Sequence, residues 1–138
     1  MVEKLALKKT SSSVYNINYH IVFCPKYRKQ ILQGDIREFV KECFETISSA
    51  SDYTLIEMEI MPDHVHIFLS AKPDVSPMNI VKKLKGVSAL RIFKKFPDIR
   101  KKEYWGNHFW SSSYYVGTAG VVTAEAIRKY IEANSSTI

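Results

Sequence analysis

Two apolar runs rich in β-branched and long side chains, residues 53–60 (YTLIEMEI) and 64–70 (HVHIFLS), are separated only by Met61, Pro62 and Asp63. A parallel connection needs a crossover of about a dozen residues or more, so a link this short returns the chain antiparallel to itself. The centre of the fold is therefore a β-hairpin, and every other element has to pack around it. Residues 14–24 (VYNINYHIVFC) alternate polar and apolar, are rich in β-branched and aromatic side chains, and stop at Pro25, which predicts a further strand.

Helical spacing fills the gaps between these strands. Ile36, Phe39, Val40, Cys43, Phe44 and Ile47 fall on one face of an amphipathic helix over residues 35–49, with Asp35 expected as its cap. A second helix is expected from Ser76, with Pro77 in its first turn, to Phe96, where Pro97 ends it. Its apolar face holds Ile80, Val81, Leu84 and Val87, but beyond Gly86 come Arg91, Lys94 and Lys95, so the helix is expected to bend or leave the core there. A polar loop containing Trp105 and Trp110 leads to a short strand at residues 114–116. Gly117 and Gly120 follow as a flexible connection, and a last helix runs over residues 123–134.

The order is strand, helix, strand, strand, helix, strand and an extra helix. This is the α+β ferredoxin-like (RRM-like) order β-α-β-β-α-β, which closes into a four-stranded antiparallel sheet with both helices on one face. The strand at residues 64–70 then lies in the middle of the sheet, and the opposite face is expected to be open. Nucleic-acid readers often use such a face. At 138 residues the chain is expected to be one domain, residues 1–138, and 46% hydrophobic residues are too many for a disordered chain.

Twenty Lys and Arg against 14 Asp and Glu leave a formal charge of +6, a balance that favours a polyanionic partner, nucleic acid before an acidic membrane surface. No apolar run approaches the roughly 20 residues that cross a bilayer. The opening MVEKLALKKTSSS lacks the apolar stretch of a secretory signal, so a cytoplasmic protein without membrane contact is expected. Cys24 and Cys43 have no Cys-x-x-Cys spacing and are expected as buried thiols.

His64-Val65-His66 carries the strongest chemical signal. Residues i and i+2 of a strand project from one face, so the two imidazoles stand side by side while Val65 points to the other layer. They are either a pair of metal ligands or two polar residues on a solvated face. The strand is otherwise apolar, which asks for a reason to place two polar rings there. A hard cation such as Mg²⁺ or Mn²⁺ also seeks oxygen ligands. Asp63 is adjacent, although it also suits a turn cap. In the last helix Tyr130 and Asn134 are four apart and share a face; Tyr130 equally suits a core residue with its hydroxyl at the rim.

At these residues the sequence resembles the single-tyrosine HUH transposases (TnpA-like) of the smallest prokaryotic insertion sequences. Tyr19-His20-Ile21-Val22-Phe23-Cys24-Pro25-Lys26-Tyr27-Arg28 is similar to that family's first-strand signature, and Met61-Pro62-Asp63-His64-Val65-His66 to its histidine-hydrophobic-histidine motif. Leu84-Lys85-Gly86, Ser88, Trp105-Gly106, Phe109-Trp110-Ser111, Tyr114-Tyr115 and Ile127-Arg128-Lys129-Tyr130-Ile131-Glu132 follow in the family's order. The resemblance implies a transposase that cleaves and rejoins single-stranded DNA at insertion-sequence ends through a 5′-phosphotyrosine. By it, Tyr130 is the nucleophile and His64, His66 and Asn134 hold a divalent metal, Mg²⁺ or Mn²⁺; the family usually has Gln where this chain has the shorter Asn134.

The resemblance further implies DNA with subterminal hairpins as the partner, and a homodimer in which the tyrosine helix of one copy serves the histidines of the other. Lys26, Arg28, Lys29, Lys82, Lys83, Lys85, Arg91 and Lys129, together with Lys94, Lys95 and Arg128, are candidate DNA contacts, although charge runs are commonly only solvated faces. Tyr104, Trp105, Phe109 and Trp110 either stack on unpaired bases or pack their loop. A non-catalytic module for single-stranded nucleic acid, or a domesticated repeat-associated tyrosine transposase, are the alternative readings.

Overall fold

The computed structural model describes residues 8–10, 12–102 and 108–119. Two short strands, β1 (Lys8–Lys9) and β2 (Val14–Tyr15), pair with each other; β3 (Ile17–Phe23), α1 (Gly34–Ser49), β4 (Tyr53–Met61), β5 (His64–Ala71), α2 (Pro77–Lys95), α3 (Pro97–Lys102) and β6 (Tyr115–Ala119) follow. The main sheet has the order β4-β5-β3-β6, with every pair antiparallel. This is the strand order of the ferredoxin-like architecture, and β5 is central as expected. The tight link closes the β4–β5 hairpin with Met61 opposite His64.

Period-two alternation assigns each side chain of β3 and β5 to a face. Ile21 and Phe23 join Val65, Ile67 and Leu69 in one cluster with Val40, Phe44 and Ile47 of α1 and Ile80, Val81, Leu84 and Ile92 of α2. Each such side chain, fully buried, contributes about 1.5–3 kcal/mol of hydrophobic stabilisation. Asn18, His20 and Val22 of β3 and His64, His66, Phe68 and Ser70 of β5 point the other way, and these too are buried. The second face is thus not the open surface expected from the fold type. Its apolar members Val22 and Phe68 give a physical reason, since bare apolar surface in water is unfavourable.

Several boundaries differ from the sequence expectations. The run 14–24 divides at Asn16, whose side-chain oxygen accepts from Asn18 Nδ2 at 2.8 Å, so the first two residues pair with β1 instead of with the main sheet. Asp35 lies in the first turn of α1, not at its cap, which is Gln33 in extended conformation. Ser76 does cap α2, accepting from Asn79 N at 3.1 Å. That helix does not leave the core at Gly86: Ser88, Ile92 and Phe93 continue its buried stripe while Arg91, Lys94 and Lys95 face solvent. Gly117 belongs to β6 and pairs with His20, so it is strand rather than connection.

The loop after β3 is fixed from both sides. Lys26 N donates to Phe109 O and Ser111 N donates to Cys24 O, with Pro25 bridging Trp110. Trp110 sits edge-on to Phe23 and stacks near Phe44, and its Nε1 donates to Ser88 Oγ at 2.9 Å. Of the two readings of Phe109 and Trp110, packing holds, for both are buried in the core. Cys24 and Cys43 are buried free thiols.

Candidate metal centre

The hairpin places His64 and His66 on one face of the central strand, their ring centroids 4.9 Å apart. Both rings are buried, and in both the Nε2 atom is buried without a hydrogen-bond partner. An orphaned buried nitrogen costs about 1–3 kcal/mol, so two of them side by side call for a ligand that accepts electron pairs.

Each ring is engaged through its other nitrogen. His64 Nδ1 lies 2.7 Å from Asp63 Oδ1. A carboxylate only accepts, so the proton of the neutral ring sits on Nδ1 and the lone pair sits on Nε2. Arg28 Nε lies 3.2 Å from the second oxygen, Asp63 Oδ2. Partial burial pushes the Asp63 carboxyl upward, but the hydrogen bond to His64 and the nearby Arg28 guanidinium outweigh it and hold the group below the usual carboxylate range. Arg28 and Tyr27 both adopt positive φ, 53° and 63°, in a one-turn 3-10 segment. Left-handed backbone at two successive non-glycine residues is strained, and strain of this kind collects at functional sites.

His66 Nδ1 lies 3.0 Å from Nε2 of His20 on β3. Burial lowers the pKa of His20 and of His66 to about 4; for His66, the fields of His64 and His20 add to burial. Both rings are therefore neutral at pH 7, the form in which imidazole binds metal. The edge of the Tyr115 ring meets His20, with centroids 5.8 Å apart. Tyr115 also folds over Gly117, where an added Cβ would fall 2.5 Å from its hydroxyl oxygen.

Two imidazole nitrogens aimed from one strand face fit a divalent cation, but two ligands do not complete its shell. Glu59 stands opposite His66 in the β4–β5 register. Even so, no group of three or more His, Cys, Asp and Glu with metal-binding geometry occurs among the described residues. Remaining donors must come from elsewhere. Tyr130, Asn134, Arg128 and Lys129 lie outside the described residues, as do Tyr104 and Trp105.

The other basic residues fall into two groups. Lys82, Lys83, Arg91, Lys94 and Lys95 are exposed on α2. Lys85 is not free in that way: its ammonium donates to Ser111 O at 2.7 Å and Ser113 O at 2.8 Å, and lies over the Phe23 and Tyr114 rings. Burial lowers its pKa. Lys26 and Lys29 are half-buried in the turn after β3, and Lys26 Nζ lies over the Tyr27 ring. Arg28 is turned onto Asp63. Two partners of the histidines were not legible as such. His20 stands inside the first-strand signature, and its signal was a polar ring at strand spacing between Asn18 and Val22; Asp63 was weighed as an oxygen ligand or a turn cap, not as the partner of His64 Nδ1.

No described helix is long and apolar enough to cross a membrane. Comparison with known proteins adds the family. Residues 13–134 match the family described as IS200-like transposase. The chain is 41% identical over 128 residues to the ISDra2 transposase TnpA of Deinococcus radiodurans, covering 93% of this chain and 91% of that one. It is 35% identical over 125 residues to the transposase for insertion sequence element IS200 of Salmonella typhimurium, covering 91% and 81%. A crystal structure of a candidate transposase from Deinococcus radiodurans superposes with a TM-score of 0.76 at 36% identity, covering 91% of this chain and 96% of that one. A REP-associated tyrosine transposase bound to a REP hairpin shares the fold, at a TM-score of 0.59 and 9% identity. With the ferredoxin-like sheet and a histidine pair on its central strand already in place, these likenesses make the conclusion plain: the chain belongs to the IS200-like family of transposases.

Proposed function

We propose that this chain cleaves and rejoins single-stranded DNA with subterminal hairpins at insertion-sequence ends, with Tyr130 as nucleophile and His64, His66 and Asn134 as ligands of Mg²⁺ or Mn²⁺. The observation that carries the reading is the pair of buried, unpartnered Nε2 atoms on the central strand. A divalent ion held there supplies positive charge for the non-bridging oxygens and the leaving group of a phosphodiester.

The chain's own residues do the rest. The Tyr130 hydroxyl loses its proton and its oxygen bonds to phosphorus; the bond from phosphorus to the 3′ oxygen of the neighbouring nucleotide breaks, and that oxygen leaves as a 3′-hydroxyl. The resulting 5′-phosphotyrosine keeps the energy of the broken bond, so another 3′-hydroxyl can reverse the step without an external energy source. Asp63 and His20 hold the two imidazoles in place, and burial keeps His66 neutral. The exposed lysines of α2 offer phosphate contacts, which implies steep salt dependence of binding. A homodimer in which the Tyr130 segment of one copy serves the histidines of the other is part of this reading.

The test uses labelled single-stranded insertion-end DNA with Mn²⁺. A covalent protein–DNA adduct that disappears with chelator, with His66→Ala and with Tyr130→Phe is expected; an adduct surviving Tyr130→Phe, or metal-independent binding without any adduct, overturns the proposal. Mixing Tyr130→Phe with His64→Ala tests the exchange, because only sharing of residues between copies restores the adduct.

A further inference from the structure

The two candidate ligands differ in what fixes their proton. For His64 the carboxylate of Asp63 leaves one choice for the neutral ring, Nδ1–H with the lone pair on Nε2. For His66 the partner is another imidazole, His20, and either nitrogen of the pair could carry the shared proton. The two rings are parallel within 5° with centroids 5.2 Å apart. Nitrogens 3.0 Å apart are closer than stacked rings bring their atoms, so the contact is an in-plane hydrogen bond.

We propose that His20 is a positioning residue that accepts the Nδ1–H of His66 at its own Nε2, and so locks His66 in the tautomer that presents the Nε2 lone pair beside that of His64. The inference rests on the metal reading above and assigns the role of a residue that touches no metal. Three observations carry it. A neutral His66 whose Nε2 lone pair is to hold a metal carries its proton on Nδ1, and His20 Nε2 lies 3.0 Å from that nitrogen, in reach to accept it. Its neighbour His64 already aims an Nε2 lone pair from the same face. And His20 is wholly buried on the adjacent strand, where β3 and β5 fix its distance from His66 through the register Val22 opposite His66 and His20 opposite Phe68. The opposite tautomer would place the His66 proton on Nε2 and leave that nitrogen without a lone pair for a metal. Partners of this kind outside the ligand set commonly change metal affinity 10–100-fold when removed.

The test combines ¹⁵N spectra of histidine-labelled protein with Mn²⁺ titration by calorimetry. In the wild type, with and without Mg²⁺, His66 is expected to carry its proton on Nδ1 and to have an unprotonated Nε2. His20→Phe, which keeps a flat ring but offers no acceptor, is expected to weaken Mn²⁺ binding about 10–100-fold. His20→Gln restores a carbonyl acceptor near the position of Nε2 and is expected to recover most of that affinity and the Nδ1–H form of His66. A wild-type His66 protonated on Nε2, or a folded His20→Phe that binds Mn²⁺ as tightly as the wild type, overturns the inference. Should His20→Phe fail to fold, the wild-type spectrum and His20→Gln decide it alone. A wild type that takes up no Mn²⁺ overturns the metal reading together with this inference, whereas binding that is indifferent to residue 20 overturns only the role of His20.

Discussion

The two faces of β5 are built from alternate residues of the same eight-residue strand, yet they solve opposite problems. Val65, Ile67 and Leu69 bury apolar surface against α1 and α2, and nothing there asks for a partner. His64 and His66, one residue out of phase, are just as buried but leave two nitrogens unsatisfied. On the proposed function, the first face holds the core and the second holds the metal. A strand in the middle of a sheet is rigid enough to hold imidazoles in a fixed pair while its other face is held by the core, which is the arrangement that preorganised chemistry needs.

Substitutions on the two faces should therefore separate folding from metal binding. The largest effect on stability is expected from Phe44→Ala, which empties the space against Phe23 and Trp110. A loss of about 3–5 kcal/mol in urea denaturation is expected, with Mn²⁺ affinity of the folded fraction unchanged. His66→Ala should abolish measurable Mn²⁺ uptake in calorimetry; it also leaves His20 Nε2 without its partner in a buried place, so a loss of about 1–3 kcal/mol in stability is expected, smaller than that of Phe44→Ala. Equal loss of stability in both variants would erase the distinction between the faces.

The second face also carries a pH signature that the first lacks. Unfolded histidines take up protons near pH 6.5, whereas His20 and His66 in the fold do so near 4. The contribution of these two groups to the stability of the metal-free protein should be flat above about pH 6.5 and fall between there and pH 4, by at most about 1.4 kcal/mol per pH unit for each group. Below that window the slope due to these groups should vanish. Thermal melts at stepped pH read this directly, and His20→Gln should flatten the curve.

Smaller effects distinguish the lysines. Lys85→Met should lower stability by about 1–3 kcal/mol, since two loop carbonyls lose their donor. Lys82→Ala and Lys83→Ala, exposed on the same helix, should leave the melting temperature unchanged. Wherever one of the two touches phosphate, its removal should reduce the salt slope of DNA binding by about one.

The fold was largely readable because its strongest signals are local: a three-residue link that forces a hairpin, and two helices with a complete apolar stripe. The continuation of α2 past Gly86 was harder to see, because Ser88, Ile92 and Phe93 are interleaved with Arg91, Lys94 and Lys95. Tertiary partners, α1 together with Phe109 and Trp110, decide which of these faces inward. That His64 and His66 share one strand face was legible from i, i+2 spacing, whereas their reading as metal ligands came from the family resemblance. The supports of the pair were not legible, since His20 is 46 residues from His66 and becomes its neighbour only through strand pairing. Asp63 and Arg28 likewise meet across a loop whose positive φ angles no composition rule would assign to Tyr27 and Arg28.

The most direct measurement is the anomalous difference map of a crystal grown with Mn²⁺. The account predicts one strong peak within coordination distance of Nε2 of both His64 and His66, with Nδ1 of His64 still on Asp63 and Nδ1 of His66 still on His20. No peak at saturating Mn²⁺, or a peak held by Nδ1 atoms or by Asp63 in place of the two Nε2 atoms, would contradict it.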